Sequence, residues 1–184
     1  MLITVVSKSF TADESADYIE FLGLAGLGQA EASSLTWGDV NMEASQITAF
    51  RHKTRTGFSI PIYPQLRPLI EKRLASATSA NGGQPPPPTA KVFSVENAKK
   101  ALESACSRLG LKNYSSRALR RMFITLAIER GIDVKVIAQW QGHRDGGKLI
   151  LDTYSHVRPE HSEQMARLMT TEVPANVIPM AATA

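Results

Sequence analysis

Apolar positions along the chain recur with two periods. In "SFTADESADYIEFLGLAG" the residues Tyr18, Phe21 and Leu22 recur at helical spacing, with Thr11 or Asp13 placed to cap and acids in the first turn. Gly26 and Gly28 interrupt this run, and "QAEASSLTW" predicts a second, shorter helix. The period then falls to two. "QITAF" and "FSIPIY" alternate as strands do, and "KTRTG" between them reads as a hairpin tip. From "PQLRPLIEKRLAS" onward the pattern is helical again. Ala98, Leu102, Ala105 and Leu109 form one stripe that Gly110 ends. Leu119, Phe123, Leu126 and Ala127 form another, with Ser115 or Ser116 as cap and Gly131 as stop. "DVKVIAQWQG", capped by Asp133, and "PEHSEQMARLMT", with proline in its first turn, complete the series. This arrangement predicts an α+β fold, mainly helical with a small antiparallel sheet.

Residues 76–90 break the pattern. Four consecutive prolines flanked by Gly, Ser and Asn fit neither a helix nor a central strand. They read as a flexible loop inside one domain spanning 1–170, followed by a tail at 171–184 with too little pattern to fold alone. A chain of 184 residues suffices for one such core.

Composition narrows the function classes. No apolar run approaches the roughly 20 residues needed to span a membrane. The single cysteine, Cys106, excludes an internal disulfide and fits a reducing cytoplasm. Charge is divided unevenly, with net −6 over residues 1–48 and +7 over residues 99–148. The basic half suits a polyanion such as nucleic acid, or equally a set of solvated helix faces. Arg117, Arg120 and Arg121 gather on the opening turns of one helix, where spacings of three and four bring them to a shared side. Planar guanidiniums there could grip phosphate oxygens. His52, His143, His156 and His161 show no metal-ligand spacing, and neither a P-loop nor a dinucleotide glycine motif occurs. Tyr154, in "GHRDGGKLILDTYSHV", reads on its own as a half-buried aromatic.

Taken together, "LGLAGLGQAEASSLTWGDV", "HKTRTGFSIPI", "SSRALRRMFITLAIERG" and "QGHRDGGKLILDTYSHV" resemble, in this order, the boxes of the tyrosine recombinases, the phage-integrase family. The resemblance covers about Thr11 to Val157 and implies the catalytic core of that family. It implies that Tyr154 is the nucleophile on a DNA phosphate, leaving a 3′-phosphotyrosyl link. Arg120 is then the second catalytic arginine, Lys53 the general acid for the leaving 5′-oxygen, and His143 a hydrogen-bond partner of the phosphate. Glu31 matches an acid supporting the first arginine. Arg121, Arg144, Lys148 and Arg55 are further candidates for contact with DNA. Double-stranded DNA is the implied partner, with self-association into a tetrameric synapse, no cofactor or metal, and a cytoplasmic location. The separate helical core-binding domain that precedes this one in the family is expected to be absent.

Two positions depart from the pattern. Gly28 stands where the first catalytic arginine belongs, and Arg117 where a histidine is usual. Losing one oxyanion donor costs on the order of a hundred- to thousandfold in rate. The expectation is therefore an impaired recombinase, with a catalytically inactive DNA-binding module as the alternative. A neighbouring arginine could also substitute, with Arg51, Arg55 and Arg121 as candidates. A protein-interaction domain using the proline segment is a third reading.

Overall fold

The structure, a computed structural model, describes residues 2–51, 55–154, 159–167 and 169. Helix α1 (Leu2–Ala25) leads to α2 (Gln29–Ser34), a 3-10 turn (Trp37–Asp39) and three strands, β1 (Val40–Asn41), β2 (Gln46–Arg51) and β3 (Thr56–Pro61). Helices α3 (Arg67–Ala80), α4 (Lys99–Arg108), α5 (Ser116–Glu129), α6 (Val134–Trp140), α7 (Lys148–Tyr154) and α8 (Pro159–Arg167) follow. The sheet is antiparallel in the order β1-β2-β3. This is the mainly helical fold with a small sheet that the periodicity predicts.

Alternation along the hairpin decides what faces inward. Ile47 opposes Ile60 and Ala49 opposes Phe58; Ile47, Ala49 and Ile60 are buried. Because side chains two apart share a strand face, Arg51 follows Ile47 and Ala49 onto the inward side. The inward face packs with Tyr18, Phe21, Leu22, Leu66, Ile70 and Phe93 in one core. Phe93 meets the Tyr18 ring edge-on at 5.3 Å and the Phe21 ring at 5.0 Å. A second cluster joins Phe123, Ile124 and Ala127 of α5 to Ile137 and Ala138 of α6 and Ile150 of α7. Helix α5 also packs along α1, and α6 lies against β3.

Several boundaries differ from the sequence reading. Helix α1 begins at Leu2, so Thr11 and Asp13 lie within it and cap nothing. Helix α2 stops at Ser34, because Leu35 turns extended and Trp37 enters the 3-10 turn, whose Asp39 carboxylate accepts from the Thr36 N–H and hydroxyl at 2.9 and 2.8 Å. Helix α3 runs to Ala80, into the stretch expected to be loop. Beyond it, the chain after the prolines is pinned. A proline run has carbonyls but lacks N–H groups, so it can only accept. Gly38 N–H donates to Pro88 O at 2.8 Å, Trp37 N–H to Ala90 O at 2.9 Å, and Val92 N–H to Leu35 O at 3.0 Å. Two stripe positions are also corrected. Leu109 is 70% exposed while Cys106 is buried, and Leu126 faces outward while Ile124 is buried. In each helix the buried stripe runs through a residue other than the predicted leucine.

A charged cluster ties α1 to α3. Arg73 of α3 pairs with Glu14 at 2.9 Å and Asp17 at 3.7 Å, and donates to Val92 O at 3.1 Å. Glu14 also accepts from the Ser94 N–H at 2.7 Å, and Asp17 pairs with Lys72. Both carboxylates are nearly buried. Removing the guanidinium takes away the cation these two carboxylates share, and breaking a buried pair from one side is costly. Arg73→Ala is expected to lower stability by about 3 kcal/mol, read as a reduced denaturant midpoint with an unchanged slope.

Candidate functional site

The site forms where β2, the start of α2, α5 and the end of α6 meet. Asp133 caps α6, its carboxylate accepting from Lys135 N–H at 2.7 Å and Val136 N–H at 3.3 Å. Helix α6 then ends at Gln141 and Gly142, whose φ of +62° suits glycine. A Cβ at Gly142 would come within 2.6 Å of the Phe58 ring, so glycine is required on both counts. The last carbonyls of a helix lack intrahelical donors and carry partial negative charge. Here arginines supply the donors.

Arg51 donates from Nη2 to Gln141 O at 2.6 Å and from Nη1 to Gly142 O at 3.3 Å. Its Nε donates to Glu31 Oε1 at 3.1 Å, and the guanidinium lies 5.6 Å from the Phe58 ring centroid. Arg120, from α5, reaches the same carbonyl, with Nη2 3.0 Å from Gln141 O and 3.3 Å from His143 Nε2. Ser115 caps α5, accepting from Ala118 N–H, and so sets the phase that turns Arg120 inward. Two guanidiniums thus share one backbone oxygen, with the Glu31 carboxylate paired to Arg51.

Arginine can only donate, so the Nε2 of His143 facing Arg120 carries a lone pair. The imidazole is therefore neutral, with its proton on Nδ1. Burial, and then the neighbouring Arg120 and Arg51 charges, hold its pKa below the ordinary value of 6.5, against a small opposing pull from Asp145. Asp145 accepts from Gly147 N–H at 3.1 Å and Leu149 N–H at 3.0 Å, which orders the entry into α7 and keeps its own pKa low. Helix α7 carries Tyr154 as its last residue.

At the far side, the α2 start is anchored from three directions. Tyr18 donates to Gln29 O at 2.9 Å, and burial pushes the phenol pKa up to about 12. Ser116 Oγ donates to Gln29 Oε1 at 3.2 Å, and Gln29 Nε2 donates to Glu96 O at 3.2 Å. These bonds fix Gly28 and Glu31 against the sheet. Gly28 has φ −73° and ψ 158°, ordinary extended backbone. A Cβ there would fall on the carboxylate end of Glu31. The glycine is therefore not demanded by backbone geometry, and the space a Cβ would take is held by the Glu31 carboxylate.

Of the residues singled out from sequence, Glu31, Arg120 and His143 come together, with Gly28 beside them. Arg117, Arg121, Arg144 and Arg55 are exposed and stand on surfaces around this centre. Lys148 is exposed and pairs with Asp152 at 3.0 Å. Lys53, with His52, lies outside the described residues, as does His156; Tyr154 is placed by its backbone. Sequence reasoning left Arg51 as one of three alternatives and overlooked the Gln141 carbonyl that gathers the cations. The inward face of β2 was the available signal for Arg51. Among the described residues, no group of three or more His, Cys, Asp or Glu side chains is placed to hold a metal ion, and no helix is long and apolar enough to cross a membrane. Two guanidiniums on one carbonyl, with a neutral imidazole beside Arg120, suit a tetrahedral oxyanion.

The lowered His143 pKa has a measurable consequence. The unfolded chain takes up this proton more readily than the folded one, so stability rises with pH across the window between the two pKa values. The His143 contribution is whole above the unfolded value of about 6.5 and is lost as pH falls towards the lowered folded value. His143→Gln is expected to flatten this part of the stability profile, measured by denaturant melts stepped from neutral to mildly acidic pH.

The phage integrase family model matches residues 2–161. No curated protein matches the sequence. Among solved structures, XerA recombinase superposes with a TM-score of 0.63 at 17% identity, covering 88% of this chain and 64% of that one. The catalytic domain of bacteriophage HP1 integrase gives 0.57 at 19% identity, covering 83% and 80%. XerH site-specific recombinase, bound to its difH substrate before cleavage, gives 0.58 at 18%, covering 83% and 45%. The chain thus spans just under two thirds of XerA and less than half of XerH. At such identities the superpositions establish a shared fold, and the family match establishes descent. This chain belongs to the phage integrase family.

Proposed function

We propose that the chain is a catalytic domain of site-specific DNA recombination that cuts a strand through Tyr154. The family membership supports recombination in general. The observation that carries the finer reading is the convergence of Arg120, Arg51 and His143 on one helix end, in the segment that leads directly into the helix bearing Tyr154. The Tyr154 phenol oxygen bonds to the scissile phosphorus while the bond to the 5′-oxygen breaks. The phenol proton passes to solvent, and Lys53 delivers a proton to the departing 5′-oxygen. Arg120 stabilises charge on a non-bridging oxygen, His143 hydrogen-bonds the phosphate, and Arg117 supplies a further cation on the approach. The phosphotyrosyl ester conserves the bond energy, so a 5′-hydroxyl of a second strand reverses the step without an energy source.

Double-stranded DNA is the partner in this reading. Exposed Arg117, Arg121, Arg144, Lys148 and Arg55 would track its backbone. Assembly of four protomers on two duplexes completes strand exchange. A second reading has its own support in Gly28: without a donor there, the domain binds DNA and leaves it uncut.

The two readings separate on a pool of nicked duplexes with a randomised centre, in which cleavage traps the protein on DNA. The 184-residue chain is expected to yield denaturant-resistant adducts that Tyr154→Phe abolishes. DNA binding that weakens steeply with salt but never gives an adduct would favour the second reading.

A further inference from the structure

Position 28 carries no side chain, yet the site around it holds a second guanidinium. We infer that Arg51 is a catalytic residue that supplies the positive charge position 28 lacks, resting on the Tyr154 reading above. Four observations carry this inference. Arg51 follows Ile47 and Ala49 on the inward face of β2, where a charged side chain is costly unless paired. Its side chain is only 19% exposed. Its partner Glu31 lays its carboxylate over Gly28, so Arg51 comes within one carboxylate of the space a side chain at 28 would take.

It also shares the Gln141 carbonyl with Arg120, which sets two like charges side by side. A phosphate between them would offset their repulsion. Finally, three of the five guanidinium N–H groups are committed among the described residues, leaving two donors for an anion. The other candidates lack these features. Arg55 is exposed beside the hairpin tip, and Arg121 lies on the outer face of α5.

In the cleavage step the phosphorus gains the phenol oxygen and loses the 5′-oxygen, and the single negative charge shared by the two non-bridging oxygens grows as the five-coordinate phosphorus forms. Arg120 and Arg51 face one of these oxygens each. A methylphosphonate replaces one such oxygen with an uncharged methyl group, and so removes the need for one guanidinium. The test uses a duplex recovered from the randomised pool, made with either a phosphate or a single methylphosphonate at the scissile position. The rate of adduct formation is measured on both.

Arg51→Ala is expected to slow cleavage of the phosphate about a hundred- to thousandfold, and to lose less than about tenfold on the methylphosphonate. Arg51→Lys, which retains the charge and the fold more readily, is expected to shift preference towards the methylphosphonate in the same direction. Equal losses on both substrates in both variants would mean that Arg51 only braces the helix end, and would overturn the inference. An unaltered chain that cuts the methylphosphonate but not the phosphate would overturn it too, while leaving the Tyr154 reading standing. Adducts on neither substrate would sink both.

Discussion

Two arginines from different elements donate to one carbonyl at the end of α6, and the rest of the site is arranged by that contact. Guanidiniums repel, and bringing them together needs fixed negative charge nearby. The exposed end of a helix provides it as oriented carbonyls, and Glu31 adds a full charge on the other side. The contact ties β2 to the helices α5 and α6, adding to the packing of α6 on β3 and of α5 on α1. It also sets the imidazole. With its Nε2 turned to Arg120, His143 is neutral because a proton there would face two cations.

Much of the fold was legible in the sequence. The two-residue alternation of "QITAF" and "FSIPIY" gave a hairpin because β-branched and aromatic side chains on one face had a core to meet. The alternatives Ser115 and Ser116 for the α5 cap resolved to Ser115, the residue with extended backbone. The start of α1 was not legible because Thr11 and Asp13 look like caps yet lie inside the helix, and the end of α3 was not because its small polar residues carry no mark of where a helix stops. Leu126 misled for a related reason. It borders an apolar groove with Met122, Leu24 and Trp140, so it follows the stripe's spacing without being covered.

The site was legible in part. Arg120 and His143 could be named because they fall in short, ordered boxes. Arg51 could not be chosen from its neighbours by sequence alone, since three arginines lay within reach of the gap and spacing does not say which turns inward. Strand parity favours Arg51, but parity is only decisive once the register with β3 is known. The shared carbonyl was invisible, because a backbone oxygen has no letter in the sequence. The expectation of an impaired enzyme rested on the missing donor at position 28, and the guanidinium that arrives from β2 is one of the three arginines that could stand in for it.

The backbone at Gly28 has a wider meaning. Its dihedrals are open to any amino acid, and the nearest atoms a Cβ would meet belong to the Glu31 carboxylate. A charge offered by a strand that faces the loop leaves the loop position free to hold glycine. Counting motif letters would then label as dead a protein whose electrostatic complement is merely encoded elsewhere.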